Sequence, residues 1–238
     1  MIKLNKLVLL IFGTVIASIG YASPCSDLYD TKQYKSAIEI CTEAVQNNKN
    51  DTRSQFNLGV MYENGLGVAQ NYSKALYWYQ QASNNGLAAA QYNLGVMYSQ
   101  AEDNNQAIYW YEKAAKQGYA GAQCNLGVMY DTGKGIAQNV TKAVYWYEKA
   151  AKQGYAQAQL NLGIMYSQGI GVILDESKAV YWYQKAADQG LMAAQYNLGY
   201  MFENGEGVAK SLPKSLYWYQ KAAAQGDDSA IKSVNRLR

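Results

Sequence analysis

One run in the chain has the spacing of a catalytic motif. Ser211-Leu212-Pro213-Lys214 reads S-x-x-K, in which a lysine stands one helical turn from a nucleophilic serine, the arrangement used by serine β-lactamases for acyl transfer. That chemistry also asks for S-D-N and K-T-G partners, and the sequence contains neither. The chain has no His, so the commonest general base is missing. Gly65-Leu66-Gly67 is not a phosphate loop, because no strand pattern precedes it and no third glycine follows at the required place. The spacing of Cys25, Cys41 and Cys124 matches no zinc pattern. No metal site and no cofactor is expected, and the chemistry that remains is recognition.

The candidates for recognition recur. Asn-Leu-Gly begins at Asn57, Asn93, Asn125, Asn161 and Asn197, at spacings of 36, 32, 36 and 36. Each Asn precedes a core-facing Leu by one residue, about 100° around a helix, so the two cannot share a direction. Two roles are open to this row. It can line a groove, where amides offer a donor and an acceptor to an extended backbone of any sequence, or each Asn can bond the backbone of a neighbouring repeat. Gln55, Gln91, Gln123, Gln159 and Gln195 stand two residues earlier. They are read as solvated, with widening of the same polar stripe as the alternative. Tyr-Trp-Tyr begins at Tyr77, Tyr109, Tyr145, Tyr181 and Tyr217. Three consecutive helical residues span about 200°, so each triplet places one aromatic in the core, a Trp against the next repeat, and one Tyr free for contact.

Two markers sharing one period define a repeat. In the first, a helix over Gln55–Glu63 puts Leu58 and Tyr62 on one face, and Gly59 allows close packing. Asn64-Gly65-Leu66-Gly67 breaks it. A second helix starts after Asn71, whose counterparts Asn139, Asp175 and Ser211 are all favourable N-caps. Ala75, Tyr79 and Ala82 form its buried stripe, and Gly86 ends it. Five such hairpins occupy 51–86, 87–118, 119–154, 155–190 and 191–226, the second four residues short because Ala101-Glu102-Asp103-Asn104-Asn105 replaces the glycine loop. Each hairpin buries one face and needs a neighbour to cover the other. The expected fold is all-α: a right-handed solenoid superhelix of helix-turn-helix repeats with a concave and a convex wall. A degenerate hairpin at 23–50 caps one end, and a single helix at 227–238 caps the other.

Lys3 and Lys6, the apolar run Leu7–Ile19 and Gly20-Tyr21-Ala22 make 1–22 a secretory signal with cleavage after Ala22. The run is too short for a membrane span of about 20 residues. Its removal takes two Lys and leaves 19 basic against 18 acidic residues, so no broad basic field for nucleic acid remains. An oxidising compartment suits the cysteines. If 23–50 is a hairpin, Cys41 takes the place of Tyr79 and faces Cys25, and a disulfide is expected there. Cys124 aligns with Phe56, Tyr92, Leu160 and Tyr196 and is read as a buried hydrophobe.

Leu126-Gly127-Val128-Met129-Tyr130 and Lys142-Ala143-Val144-Tyr145-Trp146-Tyr147, with Gly-x-Gly-Val between helices, resemble the Sel1-like repeat family of the tetratricopeptide-repeat superfamily. The resemblance covers about Asp51–Gly226. It implies an adaptor scaffold whose first helices line the concave wall, and exported bacterial members are tied to envelope regulation or host contact. It also implies that penicillin-binding or β-lactamase-like activity must be considered at Ser211, which aligns with caps. The expected function is a non-catalytic, periplasmic or secreted scaffold that binds another protein or peptide segment through Asn57, Asn93, Asn125, Asn161 and Asn197. The alternatives are an immunity protein against a toxin and a β-lactamase-like activity. Oligomeric state is left open.

Overall fold

In the computed structural model residues 23–237 are described, and the expected signal segment at 1–22 lies outside them. The described residues form thirteen helices and no strand. They divide into two compact units, one ending at Ala82 and one beginning at Ser83.

The first unit holds α1 (Pro24–Asp30), α2 (Tyr34–Asn47), α3 (Thr52–Asn64) and most of α4 (Tyr72–Asn84). Its core is Cys25, Ala37, Cys41, Val45, Leu58 and Met61. Cys25 and Cys41 are joined by a disulfide inside that core. Ser23 caps α1 from the position before Pro24, where the missing N–H costs nothing.

The second unit stacks four hairpins and a last helix. They are α5 (Ala88–Gln100) with α6 (Asn104–Lys116), α7 (Ala120–Thr132) with α8 (Val140–Lys152), α9 (Ala156–Gln168) with α10 (Glu176–Asp188), and α11 (Met192–Asn204) with α12 (Leu212–Ala223), followed by α13 (Asp228–Leu237). Each second helix packs on its own first helix and on the first helix of the next repeat, so every hairpin covers the face its neighbour leaves open.

The pairs approach closely because of one glycine. A Cβ on Gly127 would fall 2.6 Å from the Tyr147 ring, and one on Gly163 2.6 Å from the Tyr183 ring. The third residue of each Tyr-Trp-Tyr therefore lies flat over the glycine of Leu-Gly and is buried, while the Leu fills the adjoining core. The glycine loop works in the same way. Gly169 takes the left-handed conformation that ends α9, and a Cβ on Gly171 would fall 2.9 Å from the Val140 carbonyl at the start of α8. In the short repeat this loop is absent. Glu102 holds the left-handed turn instead, at φ 60, and the Asp103 side chain caps α6.

Candidate binding face

Two of the recurring residues, a tyrosine and an asparagine, meet at one point in three successive repeats of the second unit. Tyr111, Tyr147 and Tyr183 point their hydroxyls from the second helices toward the first-helix face. There the amide of the next repeat's Asn sits within hydrogen-bonding reach: Asn125 for Tyr111, Asn161 for Tyr147, Asn197 for Tyr183. A residue in the last turn of the same repeat's first helix joins them. Ser167 Oγ lies 3.1 Å from the Tyr183 hydroxyl, and Tyr219 donates to Glu203 at 2.9 Å. Burial pushes these phenols above their usual range, Tyr147 and Tyr219 most strongly. The asparagines thus take the neighbour-bonding role in part, through a tyrosine hydroxyl rather than through backbone.

They also stay open. Asn93, Asn125, Asn161 and Asn197 are half-buried. Asn125 lines a cleft of about 190 Å³ with Ser99, Tyr111, Val128, Met129, Thr132 and Lys134. Asn197 lines one of about 390 Å³ with Ile164, Ser167, Tyr183, Tyr200 and Glu206. Both clefts lie between consecutive first helices, and they present amide, hydroxyl and thioether or aliphatic surface, with a cation at one rim and an acid at the other.

Asn57 departs from the expectation. It is 1% exposed and donates to the Cys25 sulfur at 3.8 Å, so the disulfide takes the place that a tyrosine hydroxyl holds in later repeats. As placed, it cannot meet a partner.

The glutamines correct a second expectation. Gln91, Gln123, Gln159 and Gln195 are buried, not solvated, and they bond between repeats. Gln159 donates to the Ala151 carbonyl at 3.2 Å and accepts from Gln189 at 2.8 Å, and Gln189 also donates to the Gly154 carbonyl at 3.0 Å. Gln123 with Gln153 and Gln195 with Gln225 repeat the pattern. Gln55 is likewise buried, on the Lys49 carbonyl at 2.7 Å. These amides satisfy carbonyls at helix ends that have no partner within their own helix. The signal was present in the sequence: Gln159 precedes Leu162 by three, which places it on the buried face.

The outer side carries the first Tyr of each triplet. Tyr145 and Tyr181 are about half exposed, each edge-on to its neighbouring Trp, with Lys149 and Lys185 over their rings.

Ser211 and Lys214 do not assemble a nucleophile. The Ser211 hydroxyl accepts the Lys214 backbone N–H at 3.5 Å as an N-cap, and the Lys214 ammonium lies over the Phe202 ring. Asn139 and Asp175 cap their helices in the same way. Cys124 is buried, and its thiol is pushed up to about 12 by desolvation. No group of residues able to hold a metal, and no helix long and apolar enough to cross a membrane, occurs among the described residues.

Comparison with known proteins places this architecture. The Sel1 repeat model matches residues 52–87, 88–119, 120–155, 156–191 and 193–227. A protective antigen of uropathogenic Escherichia coli with an SLR fold is 30% identical, with TM-score 0.83 over 90% of this chain and 49% of that one. A Sel1 repeat protein of Oxalobacter formigenes is 32% identical, with TM-score 0.82 over 90% of this chain and 87% of that one. An immunity protein of Pseudomonas aeruginosa is 25% identical, with TM-score 0.53 over 92% of this chain and 83% of that one. A Sel1-like repeat protein of Acanthamoeba polyphaga mimivirus is 52% identical over 48 residues, 20% of this chain and 9% of that one. The chain thus spans about half of the E. coli antigen and less than a tenth of the viral protein. With five matched repeats over most of its length and an all-α hairpin array to carry them, the chain belongs to the Sel1 repeat family.

Proposed function

We propose that this protein is a non-catalytic scaffold of the bacterial envelope or secreted fraction, holding a segment of a partner protein along its first-helix, concave face. The observation that carries the reading is the row Asn93, Asn125, Asn161 and Asn197. Asn125, Asn161 and Asn197 each lie within reach of a neighbouring repeat's tyrosine hydroxyl, all four are half-buried, and Asn125 and Asn197 line shallow clefts. Preorganised amides at regular intervals suit main-chain recognition, because little side-chain entropy is lost on binding. Sel1 repeat proteins generally mediate protein–protein interaction, which agrees with this use. The Cys25–Cys41 disulfide suits an oxidising compartment. Replacing Asn93, Asn125 and Asn161 together with Ala is expected to weaken partner binding at least tenfold, the equivalent of about 1.4 kcal/mol, while leaving the helical circular dichroism intact. Unchanged binding would remove the reading.

A second reading is favoured by the likeness to the Pseudomonas immunity protein over 92% of this chain. Here the partner is a toxin and binding neutralises it. Co-expression with a toxin encoded beside this gene tests it: protection that is lost in the triple-Ala protein supports it, and no protection dismisses it.

A further inference from the structure

Two clefts of the second unit are built on the same positions, two repeats apart. Each has a floor of a serine, a buried tyrosine, an asparagine and a methionine. These are Ser99, Tyr111, Asn125 and Met129 in one cleft, and Ser167, Tyr183, Asn197 and Met201 in the other. The polar atoms of both floors meet one another: Tyr111 lies within hydrogen-bonding reach of Ser99 and Asn125, and Tyr183 of Ser167 and Asn197. What one cleft accepts and the other refuses is therefore decided by the residues that differ.

Those differences fall on the wall and the rim. Val128 in the first cleft is replaced by Tyr200 in the second, and both are exposed. At the middle of the glycine loop, Gly133-Lys134-Gly135 becomes Gly205-Glu206-Gly207, with apolar Ile170 at that place in the repeat between. The Asn125 cleft, of about 190 Å³, thus has a cation at its rim beside an aliphatic wall. The Asn197 cleft, of about 390 Å³, has a carboxylate beside an aromatic wall. The Tyr200 hydroxyl lies within hydrogen-bonding reach of Glu206, so ring and carboxylate act on one volume. Among the described residues no ion pair takes up Lys134 or Glu206.

A ring face and a carboxylate both attract a cation. Ile164 and Met201 in the same cleft offer apolar surface to the aliphatic stem of a long basic side chain. In the Asn125 cleft the same side chain would meet Lys134 instead. Two clefts with one floor also leave a register open, because a segment held by its main chain alone could slide by two repeats. Opposite rims close it, since the wrong register sets like charges together.

We propose that the Asn197 cleft receives a basic side chain of the partner segment, that the Asn125 cleft rejects it, and that the two rims together fix the segment's register. That the basic group belongs to a partner segment rests on the first-helix face being the partner side. The charge preference of the clefts does not, and it can be probed alone.

The experiment is a titration of the full isotopically labelled protein with N-acetyl-lysinamide and, separately, with N-acetyl-norleucinamide, which keeps the apolar stem without the charge. The side-chain amide resonances of Asn197 and Asn125 are followed. The lysine probe is expected to give a saturable shift at Asn197 and none at Asn125, and the norleucine probe to bind at Asn197 about tenfold more weakly. Glu206→Gln should bring the lysine probe down to the norleucine level. Val128→Tyr combined with Lys134→Glu should create a lysine response at Asn125. Equal responses at the two asparagines, equal binding of the two probes, or a lysine response unchanged in Glu206→Gln overturns the proposal. Partner capture separates the two readings: binding lost in the triple-Ala protein but untouched by Glu206→Gln removes the basic side chain and leaves the scaffold standing.

Discussion

The tyrosine that follows Trp in each triplet fixes most of what a repeat can do. Its ring occupies the space a glycine leaves open, and for Tyr111, Tyr147 and Tyr183 its hydroxyl lies within reach of the next repeat's asparagine. Gly163→Ala must therefore push Tyr183 aside. Overpacking of this kind costs about 1–3 kcal/mol, and thermal denaturation should show Tm falling with helicity retained below the transition. The buried glutamines predict a different signature. Gln159→Ala takes the side-chain donor from the Ala151 carbonyl, which keeps the Gly154 N–H, and removes one acceptor of Gln189. The expected loss is about 0.5–1.5 kcal/mol per hydrogen bond, again by denaturation. The asparagines and the glycines could be read from the sequence because their spacing is strict and their types are unusual in helices. The glutamines were misread because a polar residue was equated with a solvated one, although Gln159 and Leu162 share a face. The burial of Asn57 was hidden for another reason: it depends on the disulfide beside it, which replaces the tyrosine of a full repeat.

At the level of elements, helix starts and stops follow from caps that the sequence shows directly, such as Asn139 and Asp175 before α8 and α10. The short repeat does not follow from them. Its turn depends on Glu102 adopting a left-handed conformation that only glycine adopts freely. α13 reads from its sequence as a plain terminal helix, and it packs on α12 as each first helix packs on the second helix before it. Ser233 faces Tyr219 where an asparagine would stand, and Arg236 closes the cleft onto Glu203. The Arg236 guanidinium holds the Glu203 carboxyl below the usual glutamate range. Its contribution to stability is then present above the ordinary value of about 4.3 and is lost as pH falls through the lower folded value. Arg236→Ala should remove that dependence. Tm measured from neutral pH down to about pH 3 is expected to fall more steeply in the native protein than in the variant. Parallel curves would mean that the pair does not stabilise the terminal helix.

For the whole molecule, the repeat period was legible because two independent markers shared it, and that alone led to an all-α array of stacked hairpins. What the period could not supply is which residues of each repeat escape burial, since that depends on side chains from two repeats at once. The first-helix side keeps asparagine amides in clefts, rimmed by Lys134 at one place and by Glu206 at another. The other side keeps tyrosines under lysines. The central claim is that the partner lies on the first. Photo-crosslinking in cells, with a photoreactive residue placed singly at Val128, Tyr200, Tyr145 or Tyr181, all of them exposed, tests it most directly. The scaffold account predicts one partner adduct from positions 128 and 200 and none from 145 and 181. An adduct confined to 145 and 181 would contradict it.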